Sequence, residues 1–448
     1  MKKIILLVMA LLVVGYGYSQ DGQKKAKKEK TYNEKGEIIK KGWNFGPLPV
    51  VGFDADLGFQ YGVCCDIFNY GDGTRYPKYN YKFNVEASRY TKGSGVFRFY
   101  SDMPYVVKDT KLFFDVTYFY AKKYEFFGFN GFEAGRIDPN ILVDGEKSGY
   151  NFINRNQFRF VGSMQRPFFG VKNLNWTFGL AYYNTAVNRI DLPGYENQTT
   201  LYERYVNDGV IHQDEVNGGN TAQIRLGLVY DSRDLTSDPT KGIYAEATLV
   251  GSPDFIDQRG YSNLSATLLW RHYIPLYGEK LTLAYRLGTQ NVLAGEMPWY
   301  MINNLNTMFF QKMYTEGLGG SVTMRGVNRN GVIGEGFTFA NVEMRWRVVG
   351  FQFINQNWMV ALNPFFDAGL VTQKFREDEI AAVAVGDFVA PADAGLLSGE
   401  RDGIHMSAGC GLKLIMNRNL IVSADLGRAL DSRDGQKLKT FIGFNYVF

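Results

Sequence analysis

The sequence predicts an all-β fold, an antiparallel transmembrane β-barrel of about sixteen strands. Three observations carry that prediction. From Pro47 onward the chain repeats segments in which apolar and polar residues alternate, the period of a strand with one wet and one dry face. The long gaps between segments, 122–151, 188–220, 293–337 and 372–402, all follow odd-numbered segments. The composition is rich in glycine (50 residues) and in aromatics (29 Tyr and 34 Phe), which suits closed sheet with aromatic girdles. A soluble β-propeller shares that composition, and a soluble sandwich also alternates. Loop parity separates them. A barrel with a periplasmic amino terminus puts every long gap outside the cell, whereas a sandwich has no reason to sort its loops this way.

Taken in order, residues 1–20 read as a secretory signal. Lys2 and Lys3 form the charged start, Ile4 to Val14 the apolar run, and Gly15, Gly17 and Ser19 the small residues near a cut. The run is too short for a helical span of about 20 residues. Residues 21–42 carry eight lysines and few apolar residues, and read as a disordered, solvated arm. Contact with anionic lipid or a periplasmic partner is the functional alternative for that arm. The barrel is assigned to 43–448.

Its first strand is expected at Pro47–Asp54, short and weakly paired, because Pro47 and Pro49 have no N–H for a ladder. The alternative is that these prolines merely precede an ordinary strand. Leu57–Phe68 follows, then Asn80–Tyr90, where Tyr81, Phe83, Val85 and Ala87 oppose Lys82, Asn84, Glu86 and Ser88. Gly95–Val106, Lys111–Ala121, Phe152–Phe168, Asn175–Val187, Thr221–Ser232 and Gly242–Gly251 continue the pattern. In Tyr261–Pro275, Leu264, Ala266, Leu268 and Trp270 oppose Asn263, Ser265, Thr267 and Arg271. Lys280–Val292 precedes the longest gap. Thr338–Val349, Asn357–Val371, Gly403–Met416, Leu420–Leu430 and Lys439–Phe448 complete the set. The last strand places Phe444, Tyr446 and Phe448 on one face, and has to meet the first strand near Gly443 to close the barrel.

The remaining chemistry is sparse. A net charge of +4 implies no nucleic acid. Cys64 and Cys65 point to opposite faces of one strand, and Cys410 lies several strands away, beyond disulfide reach. His212, His272 and His405 fit no metal spacing, and no metal or other cofactor is expected. No G-x-S-x-G, H-E-x-x-H or phosphate loop occurs, so no enzyme is expected. Asp231, Arg233 and Asp234 form a charged group at a strand end, read as structural.

One residue in the longest gap demands a reason. Arg325 lies in Gly319-Gly320-Ser321-Val322-Thr323-Met324-Arg325-Gly326-Val327. Glycine permits close backbone approach, and arginine offers a rigid fork suited to carboxylates. Glu343 and Asp367 lie just downstream in apolar strand patterns. The expectation is that the gap folds into the barrel and Arg325 pairs with both acids. The alternative is an exposed loop arginine.

Met324-Arg325-Gly326-Val327 resembles the V-R-G-F/Y signature of the BamA/TamA outer-membrane assembly barrels, with Val327 at the aromatic position. Asn341-Val342-Glu343-Met344-Arg345-Trp346 resembles that family's strand twelve. Pro364-Phe365-Phe366-Asp367-Ala368-Gly369 resembles its F-x-D-x-G strand thirteen. Tyr230-Asp231-Ser232-Arg233-Asp234 with Pro239-Thr240-Lys241-Gly242 resembles its strand eight and the next turn. The likeness runs from about Pro47 to Phe448. It implies a sixth extracellular loop folded inward and locked through Arg325, Gly326, Glu343, Asp367 and Gly369. It implies a weak seam at Pro47, Pro49 and Gly443 that acts as a lateral gate. It implies that Phe444, Tyr446 and Phe448 serve as an insertion signal, though Phe441 stands where a polar residue is expected. Such relatives carry POTRA domains where this chain has only the short arm. The implied function is to assist insertion or translocation of proteins at the outer membrane. The alternative is a channel, or a structural or accessory barrel without that activity. Implied partners are outer-membrane lipid and lipopolysaccharide, client outer-membrane proteins and a periplasmic accessory subunit.

Overall fold

The computed structural model describes residues 31–34, 36–135, 142–143, 146–147, 149–192, 194–195, 199–257, 259–306, 317–384, 397–435, 437–444 and 446–448. The expected signal at 1–20 and the first part of the lysine-rich arm, 21–30, lie outside them. Residues up to Ile39 form a unit of their own, in which Tyr32 bridges Ile38 and the Glu37 N–H donates to Asn33 Oδ1 at 2.9 Å.

The second unit is a closed antiparallel barrel of sixteen strands in sequence order. They are β1 (Trp43–Asp54), β2 (Gly58–Asn69), β3 (Tyr81–Tyr90), β4 (Ser94–Val107), β5 (Thr110–Glu125), β6 (Phe152–Pro167), β7 (Leu174–Arg189) and β8 (Gly218–Asp231). The circuit continues with β9 (Gly242–Ser252), β10 (Asn263–Tyr277), β11 (Leu281–Gly295), β12 (Gly336–Phe353), β13 (Gln356–Gln373), β14 (His405–Met416), β15 (Leu420–Ala429) and β16 (Lys439–Phe444). No helix among the described residues is long and apolar enough to cross a membrane.

Alternation has the sense a membrane barrel needs. On β10, Leu264, Leu268 and Trp270 face outward while Ser265, Thr267 and Arg271 are buried inside. On β12, Val342, Met344 and Trp346 face outward while Asn341, Glu343 and Arg345 point into the lumen. Closure leaves every strand flanked on both sides, which a wall in hydrocarbon requires.

One rim carries the long loops and the other mostly tight turns. At the long-loop rim Phe126, Phe129, Tyr205, Trp299 and Phe375 pack into one aromatic cluster. Phe129 sits 4.9 Å from Tyr205 and 4.5 Å from Phe375 by ring centroid, in tilted contacts that favour the ring quadrupoles. Tyr205 is held by a short helix, α1 (Leu201–Asn207). It opens with a capping box: the Glu203 N–H donates to Thr200 Oγ1 at 3.2 Å, and the Thr200 N–H to the Glu203 carboxylate at 2.8 Å.

Two strand expectations need correction. The first strand is not short: it begins at Trp43 and pairs with β2 along its whole length, from Trp43 opposite Asn69 to Asp54 opposite Gly58. The last strand does not reach Phe448. It ends at Phe444, and Tyr446, Val447 and Phe448 are buried.

Candidate functional site

The gap between β11 and β12 enters the lumen. Its turn is built by Thr323, whose Oγ1 accepts from the Gly319 N–H at 2.9 Å and bonds the Gly317 and Gly319 carbonyls at 3.0 Å. Leu318 bridges Val332, which closes the loop on itself. Met324, Val327, Leu318 and Val332 form a small apolar cluster with Phe337 and Phe339 of β12. Val327 thus occupies the signature's aromatic position as a buried aliphatic side chain.

Arg325 is completely buried and its fork is used on two sides. Nε and Nη2 donate to the two oxygens of Asp367 at 3.0 Å each, and Nη1 donates to Glu343 Oε1 at 2.7 Å. The Arg325 backbone N–H also donates to Asp367 Oδ2 at 3.0 Å. The guanidinium carbon lies 3.4 Å above the Phe365 ring, the residue two before Asp367 on β13. Burial works against its charge, but Asp367, Glu343 and Asp425 raise its pKa beyond the ordinary arginine value.

The network is larger than the sequence suggested. Asp425 of β15 stands 3.7 Å from Arg325 Nη1 and receives both its oxygens' bonds from Lys413 of β14 at 2.7 Å. Arg345 Nε bonds the other Glu343 oxygen at 2.9 Å. Three cations (Arg325, Arg345, Lys413) therefore meet three carboxylates (Glu343, Asp367, Asp425), so each buried carboxylate faces a cation. Asp425 and Lys413 both sit at inward positions of their strands, a parity visible in sequence. Which inward acid meets Arg325 depends on where the loop comes to rest.

Glycines let the loop rest there. Gly326 has φ 103°, and a Cβ on it would lie 2.6 Å from the Arg428 nitrogen on β15. Gly427, across from it, would put a Cβ 2.7 Å from the Arg325 carbonyl oxygen. Gly369 of β13 faces the loop as expected, leaving room for Met324 and Leu318. Arg286 of β11 completes the clasp, donating to the Val322 carbonyl at 2.7 Å and to Asn341 at 2.8 Å.

The expected insertion-signal residues do not share one strand face. Phe444 ends β16, and the last three residues turn into the lumen. Arg345 lies 3.9 Å over the Tyr446 ring and 5.0 Å from that of Phe448, and donates to the Phe448 oxygen at 2.6 Å. Arg286 also faces the Phe448 ring at 5.1 Å. Desolvated cation–π contacts and a charge-assisted hydrogen bond draw the tail inward. Alternation alone could not reveal this, because Phe444, Tyr446 and Phe448 keep strand period after the strand has ended.

At the seam, among the described residues, β1 meets β16 only where Phe53 faces Ile442 and Asp54 faces Phe441. Gly443 faces Ser423 of β15. Pro47 and Pro49 lie further along β1, opposite Cys65 and Val63 of β2. The carbonyls of Phe59 and Asn69 on β2 accept from Thr91 and Asn80 beside β3. Odd-numbered residues of β2 therefore direct their backbone toward β3, and the odd-numbered residues of β1 opposite them direct theirs toward the seam. The prolines interrupt no β1–β2 bond. They withhold donors from the free edge, which explains why β1 runs through them at full length.

Asp231, Arg233 and Asp234 are structural in arrangement. Arg233 donates to both Asp231 oxygens at 2.9 and 2.8 Å, and Asp234 accepts from the Thr240 N–H at 2.9 Å, closing the β8–β9 turn. Cys64, Cys65 and Cys410 are free thiols.

The sequence matches the profile of the Omp85 superfamily domain over residues 78–446. No curated protein matches it significantly. Among solved structures the chain is similar to BamA from Haemophilus ducreyi lacking POTRA domains 1–3, with a TM-score of 0.50 and 16% identity over 94% of this chain and 75% of that one. It is similar to CdiB from Escherichia coli, with a TM-score of 0.54 and 12% identity over 90% of this chain. It spans 62% of that CdiB chain, and at these identities the likeness is one of fold.

Proposed function

We propose, from the premise that the chain belongs to the Omp85 superfamily of outer-membrane barrels, that it assists insertion or translocation of proteins at the outer membrane through the β1–β16 seam. The observation that carries this reading is the edge of β1 from Trp43 to Val51, which pairs with no described residue of β16. An uncovered strand edge in hydrocarbon leaves backbone groups unsatisfied, and a client strand can satisfy them by β-augmentation. Loop and wall held in register by Arg325 give that edge a rigid neighbour. The lysine-rich arm and the long-loop rim take periplasmic and extracellular sides, and the chain reaches the membrane with a cleaved signal at 1–20. Proposed partners are membrane lipid and lipopolysaccharide, client outer-membrane proteins and a periplasmic accessory subunit. The reading involves no enzymatic step and no cofactor. A wide channel needs a free lumen, and here the loop enters it from one rim and the tail from the other.

A cross-seam tether tests the proposal. Phe53→Cys with Ile442→Cys, in a chain lacking Cys64, Cys65 and Cys410, brings two thiols face to face. Oxidation is expected to block assembly of client barrels in cells, and reduction to restore it. Full client assembly with the seam locked would leave the accessory-barrel reading in its place.

A further inference from the structure

At the short-turn rim most connections are minimal: 108–109, 278–280, 354–355 and 417–419. The β2–β3 connection, 70–80, is much longer and does not hang free. Its root is fixed by Phe68, Tyr70 and Tyr79, which pack together, and by the Tyr79 hydroxyl donating to Asp102 of β4 at 2.8 Å. Its far part lies against the opposite side of the seam. Asn419, in the β14–β15 turn, donates to the Pro77 carbonyl at 2.8 Å and to the Tyr70 hydroxyl at 3.1 Å. Asn357 of β13 donates to the Tyr76 hydroxyl at 3.2 Å. Around the barrel the order is β2, β1, β16, β15, β14, β13, so these bonds join strands on either side of the two seam strands.

We propose that residues 70–80 are a strap that holds the barrel closed at the seam's short-turn end. Three features make a strap necessary there. The β1–β16 pairing lies at the other end, at Phe53 and Asp54. The last residues of the chain have left the wall for the lumen, so they do not reach β1. The start of β1 is itself tied to the strap, since Gly42 donates to the Gly71 carbonyl at 2.7 Å and accepts from the Tyr70 N–H at 3.0 Å. A neighbouring tie runs the same way: Lys40 Nζ donates to the Asn355 carbonyl in the β12–β13 turn at 2.6 Å. The receiving side is rigid, because the Asn417 N–H donates to the Asn357 carbonyl at 2.8 Å and the Asn357 N–H returns to Asn417 Oδ1 at 3.1 Å. The width of the seam is thus set by hydrogen bonds between side chains and turns rather than by a strand ladder. The inference concerns what keeps the seam shut and does not depend on whether a client uses it.

Spin labels report the seam directly in the full barrel in lipid, with no client present. Phe45→Cys on β1 and Val422→Cys on β15, in a chain lacking Cys64, Cys65 and Cys410, flank its lower half. The unaltered strap is expected to give one narrow label-to-label distance. Two variants release it: Tyr76→Phe with Asn357→Ala and Asn419→Ala, and replacement of 71–78 by a two-residue Asn-Gly turn. Each folded variant is expected to lengthen the distance by about 5 Å, one strand spacing, or to spread it over that range. The proposal is overturned if either folded variant keeps the narrow distance of the parent.

Discussion

Arg325 meets Asp367 by three donors and Glu343 by one, all out of contact with solvent. Removing one member of such a buried pair costs roughly 3–5 kcal/mol, chiefly from the stranded charge. Arg325→Ala is therefore expected to free the loop for protease attack from outside while the barrel still assembles. Arg325→Lys rescues poorly, because an ammonium cannot satisfy two carboxylates in one plane. Arg325→Ala with Glu343→Gln and Asp367→Asn is milder than Arg325→Ala alone, since no carboxylate is stranded. Limited proteolysis of intact cells measures all three, and unchanged loop protection in Arg325→Ala would remove the arginine's role as a lock. This core of the site was legible in sequence, because a glycine-flanked arginine and inward acids on adjoining strands have few other partners. Asp425, Lys413 and Gly427 were not, because their part depends on the depth to which the loop descends.

Among the elements, the interior strands matched their alternation closely, and the misread ones flank the seam. Proline ordinarily ends a strand, yet on β1 its missing donors fall on the free edge, so Trp43 to Gly46 continue the same strand. For β16 the error ran the other way. Aromatic alternation continued to Phe448, but the ladder stopped at Phe444 because Arg345 and Arg286 offer the tail more than an unpaired edge does. Deleting residues 446–448 is expected to uncover these two arginines and loosen β16. Amide hydrogen exchange across Lys439–Phe444 should then quicken relative to β15. Equal protection in both proteins would mean that the tail does not brace the strand.

At the scale of the whole molecule, a ring of sixteen strands gives each strand two neighbours, and its shortest ladder among the described residues is the β1–β16 seam. The mature protein is expected in the outer-membrane fraction, with faster gel migration when unheated than after boiling. Recovery from the soluble periplasm, or identical mobility in both states, would contradict a folded membrane barrel. Loop parity had already pointed to this architecture, since it reflects the number of strands between loops and not the identity of any residue.

The inward turn of the last three residues has a consequence for the life history of the chain. If the terminal Phe448 marks it for insertion, the mark is legible only while the chain is unfolded. Once the barrel closes, Tyr446 and Phe448 lie under arginines and no other protein can read them. On that premise a finished copy, with Tyr446 and Phe448 held under arginines, no longer presents the mark it was inserted by.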